Sequence, residues 1–154
     1  MAQLVKYLTR FQNYCERRDL KPAIRLNGTT DIRWELIKVN GKTIFELFPN
    51  ITFYDYTKIA NRRNLPNNYH LTFSYSATNA TYLKQVDIAK ANGLNIAVVF
   101  RNKENIPSEF IGLPTIDGYK TDLRFLDPKQ SIVALYAKGK ARKDNSGFVV
   151  DAAS

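Results

Sequence analysis

The stretch NIAVVF, residues 95 to 100, carries no charge and interrupts its apolar run nowhere after Asn95. It follows TNATYLKQVDIAKANG, which reads as a helix capped by Thr78 or Asn79 and ended by Asn92-Gly93, a left-handed stop. A short unbroken apolar run of this kind is what a strand covered on both faces looks like. A helix delivering the chain into such a strand points to a parallel sheet with crossover helices.

The same alternation extends towards the N-terminus. Residues 2 to 18 place Leu4, Leu8, Phe11 and Cys15 on one helical stripe, with Arg17 and Arg18 near the negative end of the helix dipole. Ala23 to Leu26 reads as a short strand, and DIRWELIKV as a short helix capped by Thr30 or Asp31. Thr43-x-x-Glu46 has the capping-box pattern. ITFYDYTK and YHLTFSYS are rich in β-branched and aromatic residues, as strands are, with a turn of helix expected in IANRR between them. After residue 100 the pattern changes. Asp127-Pro128-Lys129-Gln130 reads as a turn joining LRFL to SIVALYA in a C-terminal β-hairpin. The expected fold is therefore α/β, with a mainly parallel, partial (βα)-barrel-like sheet. A single domain over 1–150 and a disordered tail over 151–154 complete the expectation.

Composition narrows the setting and the chemistry. No apolar run approaches the ~18 residues of a spanning helix, and the first residues lack the apolar block of a secretory signal. The host cytoplasm is the expected location, with no membrane partner. One cysteine, Cys15, and one histidine, His70, exclude a Cys/His zinc site, a triad that needs a free histidine, and a paired-histidine nuclease. Cys15 lies on the apolar stripe and reads as a core residue, and His70 opens a strand, away from its carboxyl end. The 23 Lys+Arg against 14 Asp+Glu leave a formal charge of +9, which favours a polyanionic partner, a nucleic acid or a nucleotide.

Ligands of parallel sheets bind at the carboxyl ends of the strands. Those ends supply Asn27, Thr30 and Asp31, then Asp55, Tyr56 and Lys58, then Ser74 and Ser76, then Arg101 with Asn102 and Lys103. Asp55, Lys58 and Ser76 are the catalytic candidates, Asp55 as general base or metal ligand and Lys58 as a phosphate partner. The alternative for Asp55 is a cap on the IANRR turn. Asp31, Asp55 and Asp117 are carboxylates of the type Mg²⁺ takes, but their spacing does not demand a metal site. Lys120, Asp122 and Arg124 alternate, so an extended segment would put them on one face. In SIVALYAKGKAR the same logic aligns Tyr136, Lys138, Lys140 and Arg142, a cationic strand with a ring for stacking. Neither GxxxxGK[ST] nor GxGxxG is present.

LNGTTDIRWE, FPNITFYDYTK, YHLTFSYSA, NIAVVF, IDGYKTDLRFLDP and YAKGKARKDNSGF together resemble phage- and prophage-encoded proteins related to the mycobacteriophage gene-product-eighty-eight type. The resemblance covers nearly the whole chain. It implies longer relatives that begin with a cysteine-rich segment, of the sort an iron–sulfur or radical-type enzyme on a partial (βα) barrel carries. This sequence starts at the helix that would follow such a segment, as a short form or a fragment. With Cys15 alone, no iron–sulfur cluster is expected from this chain. Three functions follow as expectations: a phage- or mobile-element-encoded binding protein for nucleic acid or a phosphate-bearing ligand, an enzyme on a reduced cofactor-dependent barrel, or an anti-defence protein that binds a host factor.

Overall fold

The computed structural model describes residues 1–151. Helix α1 spans Ala2–Glu16, and its stripe is real, with Leu8 and Cys15 buried and Leu4 and Phe11 half-buried. Short strand β1 is Ala23–Ile24 and α2 is Ile44–Leu47. Strands β2, Thr52–Thr57, and β3, Tyr69–Ser74, follow, then α3 over Ala80–Ala91 and β4 over Asn95–Phe100. The remaining strands are β5 (Glu109–Phe110), β6 (Leu113–Asp117), β7 (Ile132–Tyr136) and β8 (Val149–Val150). The sheet order is β1-β2-β3-β4-β7-β6-β5, with β8 also on β4.

The fold is thus mixed α/β with a mostly parallel sheet of eight strands. Among the described residues it is an open sheet with β1 and β5 as its ends. Two compact units are distinguished, Met1–Asp55 with Asn64–His70, and Tyr56–Arg63 with Leu71 onward.

In the first unit β1 pairs with β2 in parallel, Ala23 opposite Thr52 and Ile24 opposite Phe53. The Thr43 capping box forms in full: its hydroxyl accepts the Glu46 N–H while Glu46 accepts the Thr43 N–H at 2.7 Å. Phe45 packs edge-on to Phe53 and stacks on Tyr69. Asn68 donates through Nδ2 to the carbonyls of Phe45, Phe48 and Ile51, tying down α2 and the turn that follows it. The DIRWELIKV segment makes only a 3₁₀ turn over Trp34–Leu36, without a side-chain cap.

In the second unit β4 is central. It pairs in parallel with β7 along its length, from Ile96 opposite Ile132 to Phe100 opposite Tyr136. On its other edge β3 covers Asn95 to Ala97, and β8 covers Val99 and Phe100. Ile96, Val98 and Phe100 are fully buried, as the unbroken apolar run requires. Asn79 caps α3 by accepting the Tyr82 N–H, and Gly93 at φ +77° ends the turn after it.

The C-terminal third departs from expectation in three places. The LRFL–SIVALYA hairpin does not form: Arg124–Leu126 is a 3₁₀ turn, and β7 pairs in parallel with β4 and β6. The reason is Arg124, whose buried guanidinium donates to the carbonyls of Gly118 and Thr121 and folds the segment onto itself. The same folding removes the extended row of Lys120, Asp122 and Arg124. The antiparallel pair lies instead between β5 and β6, turned by Ile111 and Gly112, both at positive φ. Nor does the cationic strand continue past Tyr136. Gly139 at φ +56° turns the chain into a 3₁₀ segment, Gly139–Lys143. No helix of the described residues is long and apolar enough to cross a membrane. Of the expected tail, Asp151 is described and bonds Arg101, while 152–154 lie outside the described residues.

Candidate functional site

Within the second unit, β4, β6 and β7 run in parallel, so their carboxyl ends share one rim. Sequence alone sets what stands there: Arg101-Asn102-Lys103 after β4, Asp117-Gly118-Tyr119 from the last residue of β6, and Tyr136-Ala137-Lys138 from the last residue of β7. Gly118 brings two of these together. A Cβ at Gly118 would lie 2.6 Å from Leu135 Cδ2 and 2.7 Å from the Ala134 carbonyl, so only glycine permits this approach of the chain to β7. The Gly118 N–H donates to that carbonyl at 2.9 Å. Asp117 Oδ1 then accepts the Tyr119 N–H at 2.8 Å, tightening the turn.

The turn delivers Tyr119 to Tyr136. Their ring centroids are 4.6 Å apart, and the Tyr119 hydroxyl donates to the Tyr136 carbonyl at 3.2 Å. Lys138 Nζ lies 4.3 Å from the Tyr119 ring centroid and 5.1 Å from that of Tyr136. Lys103 Nζ is 5.8 Å from the Tyr136 centroid. Two ammonium groups from two strand ends therefore gather on one tyrosine pair, each held by cation–π attraction.

Two cavities open at this rim and share Lys103 and Tyr136. One, of about 300 Å³, is walled by Ile106, Pro107, Ile116 and Ala134 with Tyr119 and Tyr136. The other, of about 360 Å³, is walled by Arg101, Asn102, Lys103, Glu104 and Arg142 with Tyr136. The first is a slot with mostly apolar and aromatic walls, to which Lys103, Thr115 and Asp117 also contribute. The second is of mixed character, with Arg101, Lys103 and Arg142 set against Glu104. Such an arrangement suits a flat ring joined to an anion.

Arg101 holds the rim together. Its guanidinium donates to the Arg142 carbonyl at 2.7 Å, to the Asp144 carbonyl at 2.8 Å and to the Asp151 carboxylate. The Asp151 hydrogen bond, with Asp151 and Asp144 charge, holds its pKa above the usual guanidinium value. Lys138 and Lys140 are exposed, as is Arg142, on a turn fastened to β4 by Arg101. Lys120 and Asp122 are exposed on the loop after Tyr119, whereas Arg124 is buried beneath it and pairs with Asp127 at 3.3 Å.

The other sequence candidates have local partners. Ser76 is buried; its hydroxyl lies 3.0 Å from that of Thr78 and accepts the Thr78 N–H. The Ser74 carbonyl accepts the Tyr82 hydroxyl. In the first unit, fully buried Asp55 accepts the Asn27 N–H with one oxygen and the Tyr69 hydroxyl with the other, each at 2.8 Å. Asn27 in turn organises its own loop, accepting from Thr30, Ile32 and Trp34 through Oδ1. Asp31 is half-buried just beyond it. Tyr56, half-buried on β2, and Lys58, exposed just past it, belong to the second unit but line neither cavity of the rim. Among the described residues no group of three His, Cys, Asp or Glu side chains converges as metal ligands would.

Sequence reading named Lys138, Tyr136 and Lys103 but missed Tyr119 and the apolar walls of the slot. Asp117-Gly118 reads simply as a turn; its signal is a glycine placed where a strand ends and an aromatic residue follows.

Fold and rim define a mostly parallel α/β protein with a cationic, aromatic-lined cleft at the carboxyl ends of its strands. More particularly, the chain belongs to the Gene product 88 family, whose model matches residues 1–152. No curated protein matches it, and no solved structure does.

Proposed function

We propose that this chain is a phage- or mobile-element-encoded nucleic-acid-binding protein, and that its interface is the rim of the second unit. The observation that carries the proposal is the Tyr119–Tyr136 pair with Lys103 and Lys138 gathered on it. Aromatic faces stack on any base, and exposed ammonium groups neutralise the phosphates between bases. The +9 charge adds long-range attraction for such a partner. The exposed turn carrying Lys140, Arg142 and Lys143 lies next along the chain and would track a strand leaving the cleft.

Fluorescence anisotropy with a labelled single-stranded oligonucleotide, across a salt series, tests this. Affinity is expected to fall steeply with salt. Neutralising Lys138, Lys140 and Arg142 together should lower the slope of log K against log salt by about 2, at roughly 0.7 for each phosphate no longer neutralised. Absence of binding at low salt would refute the proposal.

A further inference from the structure

Helix α1 turns one stripe inward, and its outer surface carries two further rows of side chains. Tyr7, Phe11 and Tyr14 fall at spacings of four and three, so they share one face of the helix. Tyr7 is 61% exposed and Tyr14 45%. Phe11, at the edge of the buried stripe, lies parallel to Tyr7 with ring centroids 6.4 Å apart. The Arg18 guanidinium continues this row, 3.8 Å from the Tyr14 ring centroid. Beside the rings runs a second row, Lys6, Arg10 and Arg17, at spacings of four and seven and all exposed. None of these cations forms an ion pair among the described residues. The one acid of the helix, Glu16, lies opposite the ring row and accepts from Gln12 Nε2 at 3.1 Å.

We infer that this face of α1 is a docking surface for an acidic amphipathic helix of another protein. The face belongs to the first unit, and the inference does not rest on the nucleic-acid reading of the second.

The chemistry of the two rows selects the partner. Lys6, Arg10, Arg17 and Arg18, with no acid beside them, attract a surface of carboxylates and repel a basic one. The rings call for apolar cover as well. Single exposed rings are common, but rings in register beside arginines have the composition of a protein interface, where Tyr and Arg are the favoured anchors. A phosphate backbone offers charge but no apolar surface to lay on Tyr7 and Tyr14. Arg18 is already positioned by Tyr14, so less freedom is lost when its N–H fork meets a carboxylate.

Shape points the same way. The exposed side of a helix is a ridge, and ridges of this kind seat another helix. Along the axis Lys6 and Arg10 are about 6 Å apart, and Arg10 and Arg17 about 10 Å, at 1.5 Å per residue. A helix lying alongside presents carboxylates at the same four- and seven-residue repeats. Apolar residues between them would then cover Tyr7 and Tyr14.

The probe is a fluorescent helix-forming peptide with Glu at four- and seven-residue spacings and Leu between them. A scrambled peptide of the same composition is its control. Anisotropy with the full chain at physiological salt measures binding, and circular dichroism confirms the fold of each variant. The patterned peptide should bind more tightly than the scrambled one. Arg10→Gln with Arg17→Gln should weaken it about tenfold, and Tyr7→Ala with Tyr14→Ala by a similar factor. Lys84→Gln with Lys129→Gln removes as much charge from exposed positions elsewhere and should change its affinity less than about twofold. A single-stranded oligonucleotide should bind the Arg10 and Arg17 variant nearly as it binds wild type. Patterned and scrambled peptides binding alike, or equal weakening by the Lys84 and Lys129 variant, would leave only diffuse charge and overturn the inference. So would failure of the patterned peptide to bind. Loss of oligonucleotide affinity in the Arg10 and Arg17 variant would make α1 a nucleic-acid surface and overturn it too. An oligonucleotide that binds no form of the protein refutes the rim reading alone.

Discussion

Arg124 and Asp127 form a buried ion pair, their side chains 1% and 5% exposed. Burial lifts the Asp127 carboxyl above its ordinary pKa, and the charge of Arg124 pulls it back. The pair is also incompletely bonded, since Arg124 Nη1 and Asp127 Oδ2 make no hydrogen bond. Removing one partner leaves a buried charge alone, so Asp127→Ala should cost about 3–5 kcal/mol in denaturant unfolding. Replacing both, as Arg124→Met with Asp127→Leu, should cost clearly less, because neither charge then has to be desolvated. A double variant as unstable as the single one would contradict this account of the pair. Gly118 tests the site more closely. Gly118→Ala forces a Cβ against Leu135 and the Ala134 carbonyl and should destabilise by about 1–3 kcal/mol. Because that approach is what carries Tyr119 to Tyr136, oligonucleotide affinity should also drop at temperatures where the variant remains folded.

Among the elements, the turn leading into β8 has a definable pH limit. The Asp144 carboxylate accepts the Ser146 hydroxyl, and Oδ2 also accepts the Val149 N–H at 3.2 Å. These hydrogen bonds, that of Ser146 foremost, hold Asp144 below its ordinary 3.8. A carboxylate whose folded pKa is depressed stabilises the fold above 3.8, and that contribution is lost as pH falls through the lower, folded value. Protection of the Val149 amide, relative to its intrinsic exchange rate, should therefore fall as pH drops from 3.8 through the lower folded value, and Asp144→Ala should show the reduced protection already at neutral pH. An unchanged Val149 amide in that variant would show that the carboxylate does not hold the turn. Elements built from neighbours in sequence were legible beforehand. The Thr43–Glu46 box, the Asn79 cap, the Gly93 stop and the buried β4 each depend on residues within a few positions. The failures depend on distant partners. LRFL looks extended by propensity, but Arg124 folds it; KGKAR alternates like a strand, but Arg101, reaching its Arg142 carbonyl from 41 residues away, fastens it as a turn. Ile111 at positive φ hides the true hairpin, since a β-branched residue is disfavoured there.

At the scale of the whole molecule, the rule that ligands sit at strand carboxyl ends directs attention to the rim and says nothing of its use. Its cations were visible as charge. The pairing of Tyr119 with Tyr136 was not, because it follows from the β6–β7 register and from Gly118. Charge alone would predict diffuse attraction spread over many lysines. Among the described residues, two tyrosine rings and two ammonium groups meet at the rim of the second unit. Amide chemical-shift mapping during titration of the full chain with a single-stranded oligonucleotide tests the proposed rim interface most directly. Saturable shifts concentrated at Arg101–Lys103, Asp117–Tyr119 and Tyr136–Lys138 are the predicted result. Saturable shifts centred in the first unit, on Asn27 and Asp55, or no shifts at low salt, would contradict it.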